Sequence, residues 1–264
     1  MCSFALDTAV ERVQQGSYRG HIESGWDIAG NANGGYLLAL AARAIALETA
    51  RPDPVTITAH YLSPGRAGPV TVEVQVRKQG RRFAVATATL YAGSIPLLQV
   101  LGTFGDLGQT VAGIERIDAA PPELPRPEEC APHVSANGAP PLFDQLDLRL
   151  HPEDGGFMRG APSGLLRVRG WFRFPETDTV DTLGLLLAVD AFPPTAFNAH
   201  PVAWIPTVEL TTHVRARPAP GWLRASFSSR FLSGGFLEED GEIWDSNDRL
   251  VAQSRQLALL PRRE

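Results

Sequence analysis

The sequence of 264 residues contains only two cysteines, Cys2 and Cys130. Two cysteines cannot form the disulfide framework of a small secreted domain, so we expect a protein of the reducing cytoplasm. The excess of one sign of charge over the other is also small. The 24 lysines and arginines nearly balance the 29 aspartates and glutamates, which gives a net charge of −5. This balance provides no broad electrostatic attraction to nucleic acid or to an anionic membrane.

Long hydrophobic runs are absent as well. The longest run, over residues 36–47, is interrupted by Arg43 and is too short to cross a bilayer. At the N-terminus Asp7 precedes any apolar run, so we expect no signal peptide. The sequence therefore predicts a soluble protein that has neither a membrane nor a nucleic acid as its partner.

Several common catalytic motifs are missing too. The sequence has no Gly-x-Ser-x-Gly elbow, which disfavours a serine hydrolase, and no Walker loop, Rossmann fingerprint or zinc-ligand spacing. Cys130 and His133 stand close together in the chain, but no third ligand accompanies them in a zinc-like spacing. We therefore expect neither a metal ion nor a bound cofactor.

What the sequence does contain is two halves built in the same way. A composition of 44% hydrophobic and 20% charged residues is typical of a globular protein with one large or two moderate domains. In each half an apolar helix precedes a loop, a proline and a series of strands, which indicates a diverged tandem repeat. We expect an N-terminal repeat over residues 1–108, a proline-rich linker over 109–141 and a C-terminal repeat over 142–264.

The hydrophobic pattern predicts one buried helix in each half. The first begins after Asn33, a plausible N-cap, and runs to about residue 50 with apolar residues on nearly every face. The second runs from about residue 181 to Asp190. Alternating or apolar segments predict strands at residues 55–62, 70–77, 83–91, 97–104, 166–174, 207–214, 222–231, 236–244 and 250–260. Two such sheets could pair edge to edge.

Asp190 is unusual because it closes the apolar second helix. An ionised carboxylate costs several kcal/mol to bury unless partners compensate for the lost water. Asp190 is therefore either an acid–base group in a site or a residue that ends its helix before Pro193 and Pro194. Taken without further information, the helix-ending interpretation is the more common one.

Several segments together resemble the type II acyl-CoA thioesterases. In the first half these are Asn33-Gly34-Gly35-Tyr36-Leu37, His60-Tyr61-Leu62-Ser63-Pro64-Gly65 and Gly80-Arg81-Arg82. In the second half they are the region around Asp190, Pro206-Thr207-Val208-Glu209 and Val251-Ala252-Gln253-Ser254-Arg255-Gln256. The resemblance covers nearly the whole chain except the proline-rich segment, and it depends on the order and spacing of the motifs.

The resemblance implies an α+β double-hotdog fold, in which two long apolar helices are each wrapped by an antiparallel sheet and fused into one chain. It also implies hydrolysis of fatty acyl-CoA to free acid and CoA. Members of the family use an Asp, a Thr or Ser and a Gln to hold the attacking water, and by motif these are Asp190, Thr207 and Gln256. Hotdog relatives commonly associate, so a homodimer or larger homo-oligomer is the expected state.

Two of the site assignments have alternatives. Gln253 is the rival of Gln256, although strand alternation places Gln256 and Ser254 on one face and Gln253 on the other. The backbone amides of Gly34 and Gly35, at the positive end of the first helix, could donate to the developing oxyanion. The same glycines could instead serve only to let two helices pack closely.

Other polar residues also have two interpretations. Lys78, Arg81 and Arg82 form a basic turn that could contact the phosphates of CoA, although a solvated hairpin is the more common arrangement. His60 and His213 are expected to be structural, because a catalytic histidine would suit a hotdog enoyl hydratase or dehydratase instead. A non-catalytic acyl-binding protein is the second alternative function.

The first half lacks a polar triad of its own. Its positions equivalent to the three site residues are Leu38, Val55 and approximately Gly102. We therefore expect one site per chain, at the seam between the two halves.

Overall fold

The computed structural model describes residues 3–109, 114, 116–134, 139–199 and 205–260. Its α-helices are α1 (Ser3–Asp7), α2 (Gly34–Thr49) and α3 (Gly184–Ala188). Short 3₁₀ helices cover Pro127–Glu129, Pro141–Asp144, Gly156–Arg159 and Thr195–Asn198. None of the helices in these ranges is both long enough and apolar enough to cross a bilayer.

Strands make up most of the remainder. In the first half they are β1 (Glu11–Gln14), β2 (Ser17–Ile22), β3 (Asp27–Ile28), β4 (Asn31–Ala32), β5 (Asp53–Tyr61), β6 (Gly68–Gln79), β7 (Ala84–Ala92) and β8 (Ile95–Gly105). The later strands are β9 (Ala131–Pro132), β10 (Asp147–Leu150), β11 (Arg167–Arg173), β12 (Thr207–Val214), β13 (Leu223–Ser228), β14 (Leu232–Ser233), β15 (Phe236–Trp244) and β16 (Leu250–Leu259).

One large antiparallel sheet joins the two halves. Its strand order is β1-β2-β6-β7-β8-β5-β12-β16-β15-β13-β11-β10-β9, with β14 paired to β15 beside this path. The halves meet where β5 pairs with β12, and there the hydroxyl oxygens of Thr58 and Thr211 lie 2.8 Å apart. This pairing is the edge-to-edge joining that the sequence led us to expect.

Helix α2 is buried against the sheet of the first half and matches the predicted span. The side chain of Asn33 caps its first turn by accepting a hydrogen bond from Tyr36 N at 2.9 Å. The helix ends at Ala50, whose φ of 51° lies in the left-handed region. Because its apolar residues face the core on nearly every side, α2 forms the centre of the first half.

Helix α3 is much shorter than predicted, so the expectation of a long helix in the second half was wrong. Only residues Gly184–Ala188 are α-helical. At the first residue of this helix, Gly184 N donates a hydrogen bond to Asp181 Oδ1 at 2.7 Å. Pro193 and Pro194 keep the segment after Asp190 out of a helical conformation, because proline restricts the residue before it to extended conformations. Asp190 therefore lies in the turn after the helix.

The segment over 109–141 is not a linker along its whole length. Within its described part, β9 pairs with β10 at the edge of the sheet, and His133 N donates to Leu148 O at 2.9 Å. Cys130 and His133 are both buried. A proline is tolerated in an edge strand because its missing N–H leaves no central ladder position empty. The end of the expected linker therefore belongs to the second half.

Candidate active site

Asp190 joins the turn after α3 to the N-terminus of α2. Its Oδ2 accepts a hydrogen bond from Gly35 N at 2.7 Å and another from Asn33 Nδ2 at 3.0 Å. Asn33 Nδ2 also donates to the backbone oxygen of Asp190 at 3.0 Å, so it holds both the side chain and the turn. The carboxylate thus lies at the seam between the halves, against the positive end of a helix.

Burial changes the acid strength of this carboxyl. Desolvation raises the pKa of Asp190 to about 6, although hydrogen bonds from Gly35, Asn33 and Gly34 oppose the rise by stabilising the ionised form. At neutral pH the group is therefore mostly ionised, yet it is a stronger base than an ordinary aspartate. Such a group is suited to accept a proton from a bound water molecule.

Thr207 and Gln256 lie on neighbouring strands of the second half. The ladder between β12 and β16 has an irregularity between Thr207 and Glu209, and such a bulge redirects a side chain. Thr207 Oγ1 donates a hydrogen bond to Gln256 Oε1 at 3.3 Å. Gln253 lies on the outer face, where its Oε1 accepts hydrogen bonds from Arg215 at 2.8 and 3.0 Å.

A cavity of about 660 Å³ brings these groups together. Asp190, Thr207 and Gln256 all line it, so the three side chains expected to form a site do share one space. The rest of the wall is largely apolar, with side chains from both halves and from the segment after the expected linker: Ile28, Leu37, Phe143, Phe157, Met158, Phe192 and Phe197. Such a wall can hold an acyl chain next to a few polar groups.

Comparison with known proteins assigns the family. Residues 22–105 match the model of an acyl-CoA thioesterase N-terminal domain, and residues 127–260 match that of an acyl-CoA thioesterase C-terminal domain. The chain belongs to the acyl-CoA thioesterase family. The second match begins at residue 127, in agreement with the position of β9 in the sheet of the second half.

Individual relatives agree with this assignment. An uncharacterized protein of Mycobacterium tuberculosis is 28% identical over 271 residues, which cover 92% of this chain and 91% of that protein. A crystal structure from Thermobifida fusca, provisionally assigned as a thioesterase II, is 29% identical and superposes with a TM-score of 0.89 over 99% of this chain and 98% of its own. A hot dog fold protein of unknown function from Alicyclobacillus acidocaldarius is 20% identical, with a TM-score of 0.87 over all of both chains.

These comparisons show a hotdog fold, and they support acyl-CoA thioesterase activity in general. The comparisons do not identify the individual site residues of this member of the thioesterase family. The structure agrees with the sequence on the common location of the three expected residues, and it differs on several of the other assignments.

The structure does not support Gly35 as an oxyanion donor. Its amide already donates to Asp190 at 2.7 Å, and the amide of Gly34 slightly lowers the pKa of the same carboxyl. Close helix packing, the alternative interpretation, is observed for Gly35, whereas Gly34 lines the cavity and its role as a donor stays a prediction. A Cβ built on Gly35 would lie 2.5 Å from Leu186 O, and one on Gly34 would lie 2.9 Å from the ring of Tyr61.

Sequence reasoning missed Glu239, a buried carboxylate beside the site. Its Oε2 accepts a hydrogen bond from Thr195 N at 2.8 Å, and its Oε1 accepts one from Gln256 Nε2 at 3.3 Å. Burial is the main cause that raises the pKa of Glu239 to about 7, and the charge of Asp190 adds to it. Alternation along β15 contained the signal, because Leu237, Glu239 and Ile243 share the buried face.

Tyr61 was also missed as a cavity residue. It lines the cavity, and its hydroxyl is buried without a hydrogen-bond partner among the described residues. Desolvation raises the pKa of Tyr61 well above its usual range, and the negative charges of Asp190 and Glu209 raise it further. The phenol is therefore neutral at every pH at which the protein would be assayed.

The basic turn lies far from the cavity. Arg81 and Arg82 follow β6, and Arg51 at the C-terminal end of α2 donates to Gly80 O and Arg81 O at 3.3 and 2.9 Å. Asp190 contacts the N-terminal end of the same helix, which spans roughly 24 Å at 1.5 Å per residue. The structure thus separates Arg81 and Arg82 from the three site residues, and a contact between them and CoA phosphates stays a prediction.

The two strand histidines lie outside the cavity, and the described residues also contain a cluster of one histidine and two acidic side chains. His60 and His213 lie on β5 and β12 with exposed side chains and do not line the cavity. His133 does line it, with Nδ1 2.9 Å from Met158 Sδ, and burial lowers its pKa to about 4. His151, Glu153 and Asp154 approach one another within 4.8 Å. Arg169 already supplies positive charge there, with Nε 2.8 Å from an Asp154 carboxylate oxygen.

The raised carboxyl pKa values predict how stability changes with pH. A folded-state pKa of about 6 for Asp190 means that the folded chain keeps a proton that the unfolded chain releases near pH 4. The contribution of this proton to stability is therefore fully present below about pH 4 and is lost as pH rises through 6. Between pH 4 and 7, Asp190→Asn should gain about 2 kcal/mol in free energy of unfolding relative to wild type.

Urea unfolding of both proteins at the two pH values checks this. Asp178→Asn is the control, because that side chain is 74% exposed and its replacement should leave the pH dependence unchanged. A constant difference between wild type and Asp190→Asn at both pH values would show that the carboxyl titrates normally.

Proposed function

We propose that this chain hydrolyses acyl-CoA thioesters to free acid and CoA by direct attack of a water molecule held by Asp190, Thr207 and Gln256. One observation carries the proposal: a carboxylate of raised pKa and a hydrogen-bonded Thr–Gln pair line the same largely apolar cavity. We also propose that the chain is a double hotdog, with repeats over residues 1–108 and 142–264 and the segment from 127 added to the second.

Asp190 would act as the general base. The hydrogen bonds from Gly35 N and Asn33 Nδ2 both end on Oδ2, and Oδ1 is the oxygen that we propose accepts from water. The water oxygen bonds to the thioester carbonyl carbon while its proton passes to Asp190. The C–S bond of the tetrahedral intermediate then breaks, Asp190 returns the proton to the departing sulfur, and CoA leaves as the free thiol. No covalent enzyme intermediate is needed, because a thioester is already activated and a thiolate is a good leaving group.

The Thr–Gln pair would orient the water and the carbonyl. Thr207 Oγ1 donates its hydrogen to Gln256, which leaves its oxygen lone pairs to accept from water. Gln256 Nε2 carries two hydrogens, of which one points to Glu239 and the other is available to a ligand. A neutral donor of this kind can stabilise the negative charge that develops on the carbonyl oxygen.

Thiol release from a panel of acyl-CoA substrates tests the proposal. The purified chain should release thiol from one or more acyl chain lengths. Gln256→Ala should lower kcat about 10-fold to 1,000-fold, as removal of a single transition-state donor does. Gln253→Ala, three residues along the same strand but on the outer face, is the matched control and should retain wild-type activity.

The alternatives predict different results from the same panel. A non-catalytic acyl-binding protein would release no thiol at any chain length while still binding the ligand. A hydratase would add water to an enoyl-CoA without breaking the thioester. Equal activity losses in the two glutamine variants would contradict the assignment of Gln256.

A further inference from the structure

Glu239 is a charged side chain in a place where charge is costly. The residue is 5% exposed, and the described arginines and lysines make no ion pair with it. Its neighbour Glu238 faces the outer surface instead, where Arg255 and Arg230 approach it at 3.3 and 3.6 Å. A buried carboxyl without a cation destabilises the folded protein, so its presence beside the cavity calls for a specific role.

The partners of Glu239 determine the direction of each hydrogen bond. Thr195 N and Gln256 Nε2 can only donate, so both oxygens of the ionised carboxylate act as acceptors. Glu239 and Gln256 also stand directly opposite each other in the β15–β16 ladder. With Nε2 committed to Glu239, Oε1 is the atom of Gln256 that points to Thr207.

We propose that Glu239 is a positioning residue that holds the Gln256 amide in this orientation and thereby makes the Thr207 hydroxyl an acceptor toward the cavity. The inference rests on the proposed hydrolysis at the same site. If the amide were reversed, Gln256 Nε2 would donate to Thr207, and the threonine hydrogen would turn toward the cavity. Thr207 would then compete with water for the lone pairs of Asp190.

Protonation of Glu239 would produce that reversed arrangement. A protonated carboxyl would still accept from Thr195 N with one oxygen, but its other oxygen would donate a hydrogen to Gln256. The charged groups that act on Glu239 are Asp190 across the cavity and Glu238 on the outer face, and both disfavour its ionisation. The remaining polar groups around it, on Thr195 and Ser229, do not titrate in the range of an assay.

Glu239→Gln imitates the protonated form at every pH. The new amide has the same shape; its oxygen must face Thr195 N, so its NH₂ group must face Gln256 and reverse that amide. At pH 8 we expect kcat to fall on the order of 10-fold to 100-fold with KM changed by less than about twofold, because the variant misorients the reacting groups without altering the acyl pocket.

The pH dependence of kcat distinguishes positioning from a purely structural role. The ratio of wild-type to Glu239→Gln activity should shrink toward one as pH falls below about 6, because wild-type Glu239 is then protonated too. Loss of Asp190 ionisation lowers the activity of both proteins, and because the two carboxylates repel each other, the ratio is taken after each profile has been fitted with its own pKa for Asp190. Asp178→Asn removes a carboxylate charge from the exposed surface and should keep the wild-type profile.

A double-substitution cycle gives an independent measurement. If Glu239 acts through Thr207, then adding Glu239→Gln to Thr207→Val should cause no further loss at pH 8. Three results would overturn the inference and leave the hydrolase assignment intact. They are additive losses of kcat in the double variant, a loss of kcat in Glu239→Gln that is constant with pH, and wild-type kcat in Glu239→Gln. Failure of the wild-type protein to release thiol from any acyl-CoA would overturn the proposed function and this inference with it.

Discussion

Replacement of Asp190 by asparagine should lower kcat for thioester hydrolysis by about 10²- to 10⁴-fold, the range typical for loss of a general base. Asparagine has nearly the same shape, and its side-chain oxygen can still accept from Gly35 N and Asn33 Nδ2. It cannot take a proton from water. We therefore expect KM to change little, because the acyl cavity keeps its walls.

The measurement is thiol release under saturating acyl-CoA, with thermal unfolding recorded for the same samples. Asp178→Asn, on the exposed surface, is the matched control and should retain wild-type kcat. Because burial raises the pKa of Asp190 to about 6, the wild-type activity should also decline as pH falls below this value. A folded Asp190→Asn protein with more than half of wild-type kcat would contradict the role of this residue.

Gly35→Ala should destabilise the protein by about 1 to 3 kcal/mol or more, although alanine normally favours a helix over glycine. A Cβ at this position would lie 2.5 Å from Leu186 O, 2.9 Å from Asp190 Cβ and 3.0 Å from Leu187 Cα. Two of these neighbours are backbone atoms, which cannot rotate away. Helix α3 must therefore move away from α2, and Asp190 must move with it.

We expect the melting temperature to fall by roughly 2 to 4 °C per kcal/mol and the hydrolytic activity to fall with it. Gly155→Ala is the control, because its φ of −89° suits alanine and its Cβ would meet Leu150 and Met158 at an ordinary 3.4 Å. That substitution should change stability by less than about 0.5 kcal/mol. An equal melting temperature for wild type and Gly35→Ala would show that the two helices are not in contact as described.

The strand pattern of the second half was predictable from alternation. Strands β12 and β15 have the predicted bounds, 207–214 and 236–244, because each presents one apolar face to the core. Helix α2 was predictable because a well-capped, uniformly apolar segment of that length is stable only inside the protein. Strand β10 was missed, since four residues are too few for a clear period.

Long-range contacts explain the errors in the same half. The length of α3 depends on where the prolines after Asp190 redirect the chain and on how closely α2 approaches, and neither is a local property. The pairing of β9 with β10 is equally remote from local preference, because a proline-containing pair of residues has almost no strand propensity of its own.

By itself, the sequence predicted the buried first helix and the alternating strands, because periodicity is a local property of the chain. Asp190, Thr207 and Gln256 were chosen by their resemblance to the family and stay proposed site residues. Only the tertiary structure decided that the amide of Gly35 donates to a carboxylate, that Arg81 and Arg82 lie at the other end of α2, and that Glu239 accepts a hydrogen bond from Gln256. The physical reason is desolvation: the acidity and the hydrogen-bond direction of a side chain depend on which distant groups exclude water from it.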